Sequence, residues 1–352
     1  MSGLPGGCQA ERMPAPAFPA LHSVLDPAAL SAWLAGSFGC APPEVTFLRR
    51  GLNDTYRVDG LPAGGAILRV YRCGWRTPAD AAWEDALTLR AASAGVGAAR
   101  VIPHPDGARV LTLNAPEGPR LAALFGRVEG REPQPTQEDA ARFGRAAAAL
   151  HAAGEGLPAA GRFALDLAHL IDGPVARVLP LLAGEPELAR EIQAAAGRTR
   201  AALEALEGQL TRVSCHGDLH GGNALVDGGG ELHLFDFDCG GPGFAAYDLA
   251  VYGWDHALNS APDDDTPWTV WAAFLEAYRA ARPLTAADGA ALGPFGVARA
   301  LWFMGLYADL TGTWGSQLAG RRFFRSGLAS IGRWEARHAV SSSAATSRAV
   351  SG

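Results

Sequence analysis

Two acidic side chains and one amide side chain in the second half of the chain have the types and spacing for catalysis. They lie in the run His216-x-Asp218-x-x-x-x-Asn223 and, thirteen positions later, at Asp236. Asn223 and Asp236 offer the oxygen ligands that Mg²⁺ prefers. Asp218 is suited to accept the proton of an attacking hydroxyl group. Metal ligands beside such a base predict a phosphoryl-transfer site, because the protein mainly positions charged groups in that reaction.

A hairpin between these two segments explains how they meet. Residues 224–226 form a short apolar run, and residues 227–230 are an Asp-Gly-Gly-Gly turn. Such residues tolerate the positive φ angles of tight hairpin turns. Residues 232–235 form the returning apolar run. The pattern predicts two paired strands that bring Asp236 beside Asn223.

The run HGDLHGGN, the later DFD motif and the following YDLA resemble the catalytic segments of the aminoglycoside phosphotransferase and choline kinase-like family. This family belongs to the protein-kinase-like superfamily. Type II homoserine kinases and a bacterial stress-response serine/threonine kinase are similar in the same run. The resemblance implies an α+β fold with two lobes: a small antiparallel sheet with a helix, and a mainly helical lobe. It also implies ATP and Mg²⁺ as cofactors and a small-molecule hydroxyl substrate.

The resemblance assigns residues of the first half to nucleotide binding. Gly51, Asn53 and Thr55 lie in a turn between two predicted strands, where backbone amides can hold phosphate oxygens. An ordinary hairpin turn also explains this pattern. Arg69 occupies the position of the usual strand lysine. An arginine can contact the α- and β-phosphates, and the alternative is a solvent-facing arginine.

A helix predicted at residues 78–94 carries the partner that the resemblance implies for the strand arginine. Glu84 is the preferred candidate, and its neighbour Asp85 is the competing one. Residues 124–130 resemble the hinge between lobes, whose backbone binds the adenine edge. Phe125 and Val128 of this hinge are the expected adenine contacts.

Of the remaining polar residues near the motif, two have alternative interpretations and the others are expected to have structural roles. His220 either donates to the γ-phosphate or is a packed loop histidine. Asp238 either assists a second metal ion or caps the following turn. We expect His216 to brace the catalytic loop, and Asp248 to anchor it through hydrogen bonds. His151, at the end of a helix, is expected to be structural.

The composition excludes several classes of protein. The chain has 352 residues and a formal net charge of −6, so no basic field indicates nucleic-acid binding. All thirty basic residues are arginine. The five cysteines are scattered, which predicts reduced thiols in a cytoplasmic protein. No signal peptide or membrane-spanning run is expected. The oligomeric state cannot be predicted.

Composition and the patterns typical of strands and helices divide the chain into two tails and two lobes, and the second lobe contains both motif segments. Strands are expected near 101–103 and 109–113 within the first lobe. Aromatic stripes after Tyr247 are expected to be core. The predicted regions are a flexible tail at 1–20, an N-lobe at 21–129 with its hinge near 125–130, a C-lobe at 130–338 with its catalytic loop at 214–224 and its metal-binding segment at 234–240, and a flexible tail at 339–352.

The acceptor is the least constrained part of the prediction. Asp255 and the run Asp263–Asp265 could form an acidic rim suited to a cationic acceptor, and an ordinary solvated loop has the same composition. Three functions remain open: a small-molecule kinase, a protein serine/threonine kinase of the stress-response type, and a nucleotide-binding module without catalysis. Arg69 in place of lysine favours the last, and the intact Asp218, Asn223 and Asp236 oppose it.

Overall fold

A computed structural model of the chain describes residues 18–159, 161–261 and 264–349. The first lobe is an antiparallel sheet with strand order β1-β2-β3-β6-β5, accompanied by two helices. Its elements are α1 (Pro27–Phe38), β1 (Glu44–Arg50), β2 (Asp54–Leu61), β3 (Gly64–Val70), α2 (Pro78–Ser93), β4 (Gly97–Ala98), β5 (Leu111–Ala115) and β6 (Gly118–Gly126).

Alternation along the strands separates the two faces of this sheet. Tyr56 and Val58 of β2 are fully buried, and they pack with Leu34 of α1 in one core cluster. The opposite face of β3 carries Arg69 toward α2. α2 begins at a capping box in which Thr77 and Asp80 satisfy each other's backbone amides. The sheet therefore separates a largely apolar layer, which includes one buried ion pair between Arg120 and Asp54, from the layer that contains the site.

The strand predicted at residues 101–103 is wrong. Only Val101 forms an isolated bridge, to Phe125 of β6. Pro103 has no N–H group with which to continue the ladder. The short strand β4 lies just before this segment, and it joins the second lobe by pairing with a strand of the catalytic hairpin. The predicted strand at 109–113 is β5, shifted by two residues.

The second lobe is mainly helical and encloses two small strand ladders. β7 pairs with β10, and β8 pairs with β9 as the predicted hairpin. Its elements are α3 (Gln137–Ala153), α4 (Gly173–Val178), α5 (Pro186–Glu204), β7 (Arg212–Cys215), β8 (Ala224–Val226), β9 (Leu232–Leu234), β10 (Gly241–Phe244), α6 (Ala245–Leu258), α7 (Thr266–Ala281), α8 (Ala286–Trp314) and α9 (Arg321–Ala349). The mixed fold with a five-stranded antiparallel sheet and a helical lobe agrees with the predicted fold class.

Helix α8 is the centre of the second lobe. It packs against α4, α5, α6 and α9. It is long and apolar enough to cross a membrane by composition, but 72% of its most apolar window is buried inside the protein. The aromatic stripes predicted as core are largely so, since Phe274, Tyr278 and Leu301 are buried.

The predicted tails have different outcomes. Residues 1–17 lie outside the described residues. The tail predicted at 339–352 overlaps α9, which continues to Ala349. Its serines and alanines can extend a helix as well as end one, and no glycine or proline stops the helix before Gly352. The boundary predicted near residue 338 therefore does not coincide with a helix end.

Candidate active site

The catalytic loop is held by one buried carboxylate. Asp248 accepts hydrogen bonds from the backbone N–H groups of His216 (2.6 Å) and Gly217 (2.8 Å). Its Oδ2 also lies 3.0 Å from Nε2 of His151, whose Nδ1 lies 2.8 Å from the hydroxyl of Tyr278. Asp248 and His151 are both fully buried. The predicted structural roles of these two residues are confirmed, because their contacts are with backbone and with other buried groups.

The loop and the second acidic segment approach each other closely at a glycine. Gly217 has φ +80°, and a Cβ there would lie 2.1 Å from the carbonyl oxygen of Cys239. Only glycine fits this position without a shift of the backbone. His216 adds a second link, since its Nε2 lies 3.0 Å from the carbonyl oxygen of Phe235. The predicted bracing role of His216 is confirmed by this contact.

Asp218 is held through both of its carboxylate oxygens. Oδ2 lies 3.0 Å from Nδ2 of Asn223 and 3.2 Å from Nε2 of His220, and Oδ1 accepts from Nη2 of Arg299. Burial alone would raise the pKa of Asp218, but Arg299 and His220 hold it far below its usual range. Asp218 is therefore ionised at neutral pH and fixed in orientation.

Arg299 is the site residue that sequence analysis missed. It lies in α8 within a stretch interpreted only as apolar core, and it is 3% exposed. Its guanidinium carbon lies 5.3 Å from the ring of Trp254 and 4.6 Å from the ring of Trp302. A single arginine in an apolar stripe was the available signal, because a buried charge requires a partner.

The hairpin brings the two expected metal ligands together. β8 pairs with β9 so that Ala224 faces Leu234, and the Phe235 amide donates to the carbonyl oxygen of Asn223 at 3.0 Å. Asn223 directs Nδ2 toward Asp218, which turns its carbonyl oxygen Oδ1 away from that carboxylate. Asp236, two positions after Leu234, therefore lies beside Asn223 as the sequence predicts.

Asp236 has the features of a metal ligand. Its φ of +67° places a non-glycine residue in the left-handed region, a strain that concentrates at functional sites. Among the described residues its buried Oδ1 accepts no hydrogen bond of good geometry, although it lies 3.1 Å from Nη2 of Arg69 in an ion pair. Burial raises the pKa of Asp236 to about 7, and Asp238 and Glu84 act in the same direction against Arg69. A bound cation would favour the ionised form, so Asn223 and Asp236 fit a divalent metal.

Arg69 forms two ion pairs, one to Glu84 within the first lobe and one to Asp236 of the second lobe. Nη1 lies 2.6 Å from Glu84 Oε1, and Nη2 lies 3.1 Å from Asp236 Oδ1. Glu84 also accepts from the hydroxyl of Tyr71 at 2.9 Å. Arg69 is 8% exposed, so the solvent-facing alternative is wrong. Asp85, the competing candidate, instead pairs with Arg109.

A cleft of about 390 Å³ lies between the lobes at this point. This volume falls in the range of roughly 300–1,000 Å³ that is usual for small-molecule sites. Arg69 and Asp236 lie at its polar end, and Thr55 also lines it. The apolar walls are Leu48, Ile67, Phe125, Val128, Leu225 and Phe235. Phe125, Val128 and Thr55 thus lie at a cleft suited to a purine ring and a phosphate chain.

Two residues of the predicted phosphate-binding turn have other contacts. The Gly51 amide donates to the carbonyl oxygen of Asn53 at 2.9 Å. The Asn53 side chain donates to Oδ2 of Asp238 at 2.8 Å, and Trp75 donates to the same oxygen at 3.1 Å. Asp238 is 3% exposed, and buried carboxylates require such donors. Asn53 therefore links the lobes through Asp238, and a metal-binding role of Asp238 stays a prediction.

His220 lies next to Asp218, the expected catalytic base. Its Nε2 faces Asp218, and its Nδ1 accepts from the Gly222 amide at 3.1 Å. Burial acts to lower the pKa of His220, but the Asp218 carboxylate raises it above the usual value. Both ring nitrogens are engaged within the loop, so the predicted donation to a γ-phosphate would require the Asp218 contact to be exchanged.

Comparison with known proteins agrees with this geometry. An uncharacterized protein of Deinococcus radiodurans is 49% identical over 91% of this chain and 93% of its own length. A homoserine kinase of Pseudomonas aeruginosa is 31% identical over 53% of this chain and 60% of its own length. The structure of a microcompartment-associated aminopropanol kinase superposes with a TM-score of 0.64 at 23% identity, covering 88% of this chain and 95% of that one.

The family model described as "Phosphotransferase enzyme family" matches residues 44–287. The match begins at the first residue of β1 and extends past α7 into α8, so it includes the cleft, the catalytic loop and the hairpin. The predicted resemblance is confirmed, and the chain belongs to the phosphotransferase enzyme family.

Proposed function

We propose that the chain transfers the γ-phosphoryl group of ATP to a hydroxyl group of a small molecule, such as an amino alcohol, an aminoglycoside or a homoserine-like compound. The observation that carries this proposal is the convergence of Asp218, Asn223 and Asp236 next to the interlobe cleft. Asn223 is the common neighbour, since its side chain contacts Asp218 at 3.0 Å and its carbonyl oxygen accepts from Phe235 at 3.0 Å.

The cleft supplies the nucleotide site in this proposal. The adenine ring lies between apolar side chains of the sheet and the hinge, and the phosphates extend toward Arg69. Asn223 and Asp236 would hold Mg²⁺, which when bound neutralises phosphate charge and fixes the phosphate geometry. The guanidinium of Arg69 adds a planar, permanently charged contact for phosphate oxygens.

Asp218 receives the proton in the proposed reaction. The acceptor oxygen forms a bond to the γ-phosphorus while the bond from that phosphorus to the β–γ bridging oxygen breaks, and ADP leaves. The hydroxyl proton passes to the Asp218 carboxylate, which Arg299 keeps ionised before the reaction. Because Asn223 and His220 also contact Asp218, its proton-accepting oxygen is held in one orientation.

The names of relatives support small acceptors. One relative is a homoserine kinase and one solved structure is an aminopropanol kinase, and both names denote kinases of small hydroxyl compounds. A cytoplasmic location is part of the proposal, and it is supported by the unpaired state of Cys40, Cys73, Cys215 and Cys239.

An acceptor screen tests the proposal. Acceptor-dependent ADP release is measured with Mg²⁺ and ATP over amino alcohols, aminoglycosides, homoserine and a generic protein, with phosphorylated products identified by mass. We expect a product from a small molecule, and the Asp218→Asn variant is expected to lose it. Phosphorylation of the protein alone would replace the proposal by a protein kinase. ATP binding without any product would replace it by a non-catalytic module.

A further inference from the structure

A second cavity lies near the catalytic loop, and its lining residues differ from those of the nucleotide cleft. Its volume is about 200 Å³. It is lined by residues 75–76 between β3 and α2, by the metal-binding segment, and by helices α4 and α8. Trp302 lines this cavity and also stacks on Arg299, which contacts Asp218. Cys239 lines it as well, and the Cys239 carbonyl touches Gly217. Two side chains, those of Trp302 and Arg299, thus connect the cavity wall to Asp218.

Arginine side chains give this cavity its electrostatic character. Arg76 and Arg177 line it, and among the residues that the structure describes neither has a carboxylate within ion-pair distance. Arg76 lies 4.0 Å from the ring of Trp75 and 4.8 Å from the ring of Phe163, and its Nε donates to the carbonyl oxygen of Asp238 at 2.8 Å. Backbone and aromatic contacts therefore hold the guanidinium in place, and its charge acts on the Asp238 carboxylate without an ion pair between the two groups.

The acidic side chain of the cavity does not balance these charges. Asp309 lines the cavity, but it is paired with Arg72 at 2.8 Å. Two unpaired guanidinium groups therefore remain on the wall. A cationic acceptor head would be repelled here, whereas an anionic group would gain charge-assisted hydrogen bonds.

A neutral histidine completes the wall. Trp302 donates from Nε1 to Nε2 of His169 at 3.3 Å, so the proton of the neutral ring lies on Nδ1. The ring stacks on Phe163 with centroids 4.9 Å apart. Burial lowers the pKa of His169 to about 4, and Arg76 and Arg177 act in the same direction against Asp166.

We propose that this cavity binds the carboxylate of the acceptor, so that the substrate is a small hydroxy acid or hydroxy amino acid. The inference rests on the proposed function, because it places the acceptor hydroxyl at Asp218. The volume of about 200 Å³ is below the roughly 300–1,000 Å³ usual for small-molecule sites, which suits a small anionic group of an acceptor. Asp264 and Asp265, which could have formed an acidic rim for a cationic acceptor, instead accept from the Thr266 amide and pair with Arg337, and Asp263 lies outside the described residues.

Matched acceptor pairs test the carboxylate directly. L-homoserine and 3-aminopropan-1-ol differ by that group alone, as do L-threonine and 1-aminopropan-2-ol. We expect kcat/KM for the carboxylate member of at least one pair to exceed that of its partner at least tenfold. In Arg177→Gln, KM for that member is expected to rise about tenfold to a hundredfold, the range of a charge-assisted hydrogen bond, with the amino alcohol unaffected.

Two further variants separate charge from folding. Arg76→Gln should reduce the same preference, although it also removes a brace of Asp238. Arg190→Gln is the matched control, since Arg190 is an exposed arginine of α5 paired with Glu187. Preference equal to wild type is expected for this control. A carboxylate preference that survives in both Arg76→Gln and Arg177→Gln would overturn the assignment of the cavity.

Calorimetric titration with the same four compounds distinguishes the inference from the proposed function. Turnover of the amino alcohols equal to or better than that of their carboxylate partners in both pairs would refute the cavity and support the phosphotransferase. Binding of the carboxylate members without turnover would support the cavity and refute the phosphotransferase. Absence of both binding and turnover for all four compounds would refute the cavity.

Discussion

Replacing Arg69 by methionine tests the connection between the lobes, because methionine keeps an unbranched apolar stem and removes the charge. Arg69 contacts Glu84 at 2.6 Å and Asp236 at 3.1 Å. Glu84 is 1% exposed. In Arg69→Met the Glu84 carboxylate stays buried, with the Tyr71 hydroxyl as its remaining hydrogen-bond donor. An uncompensated buried charge is among the few single changes that destabilise a protein severely.

The expected loss in the free energy of unfolding is about 3–5 kcal/mol, the range for a buried pair that loses one partner. Adding Glu84→Gln removes the orphaned charge, and the amide oxygen can still accept from Tyr71. The double variant should therefore regain about 2–3 kcal/mol relative to Arg69→Met, since contacting residues couple by about 0.5–3 kcal/mol. A gain of that size would identify charge burial, and not lost packing, as the cause.

Urea unfolding without nucleotide measures these differences as shifts in midpoint at constant slope. Equal stability of Arg69→Met and wild type would refute the buried pair. If the losses in unfolding free energy of Arg69→Met and Glu84→Gln add up in the double variant, the proposed coupling between the two residues is refuted. If the two lobes unfold in separate steps, the shift is expected in the step of the sheet lobe.

Nucleotide titration of the same variants tests the phosphate contact. ATP affinity should fall about tenfold to a hundredfold in Arg69→Met while adenosine affinity changes little, because a charge-assisted contact contributes about 1.5–3 kcal/mol. Arg69→Lys should have intermediate activity, since a compact ammonium cannot span both carboxylates as the planar fork does. Arg109→Met is the matched control, because Arg109 pairs with the neighbouring Asp85. Its ATP affinity should equal that of wild type.

Asp236→Asn should lower kcat strongly with the fold intact, because asparagine tolerates the positive φ and lacks the charge; wild-type turnover at saturating Mg²⁺ would refute the metal assignment. Asp218→Asn should lower kcat about 10²–10⁴-fold and keep ATP affinity; a collapse of ATP affinity at unchanged kcat per bound nucleotide would reassign Asp218. Asp248→Asn should cost about 1.5–3 kcal/mol in urea unfolding, because buried amides lose a charged acceptor. His169 has a pKa of about 4 when folded and about 6.5 when unfolded, so the unfolded chain binds the extra proton and stability falls as pH drops through this interval. His169→Gln should reduce that fall by about 1–3 kcal/mol, and an unchanged stability–pH curve would contradict it.

The catalytic hairpin could be predicted from sequence because every determinant is local. Alternating apolar residues specify β8 and β9, and the glycine-rich turn at 227–230 specifies their antiparallel pairing. Once that pairing is fixed, Asn223 and Asp236 must be neighbours. The same holds for β2 and β3, which place Arg69 beside Thr55 in the observed register.

The residues of α2 limit the partner of Arg69 to Glu84 or Asp85, and the preference for Glu84 comes from the family resemblance alone. Glu84 and Asp85 are adjacent on α2, so they point about 100° apart and only one of them can face the sheet. The rotation of α2 is set by packing, in which Trp83 and Leu87 enter the core of the second lobe. That choice depends on residues far away in sequence, and no local pattern contains it.

The half-buried carboxylates Asp218 and Asp236 extend this argument, because each is paired with an arginine from a distant element. Asp218 of the catalytic loop meets Arg299 of α8, and Asp236 meets Arg69 of β3. In water, charges at such separations gain little, but out of water an unpaired carboxylate is costly. The arginines that favour the ionised forms therefore reach these carboxylates only in the folded protein, and for Asp236 only when both lobes have assembled. A site built in this way has acidic residues that a short motif reveals, while the cations that set their pKa and orientation become visible only in three dimensions.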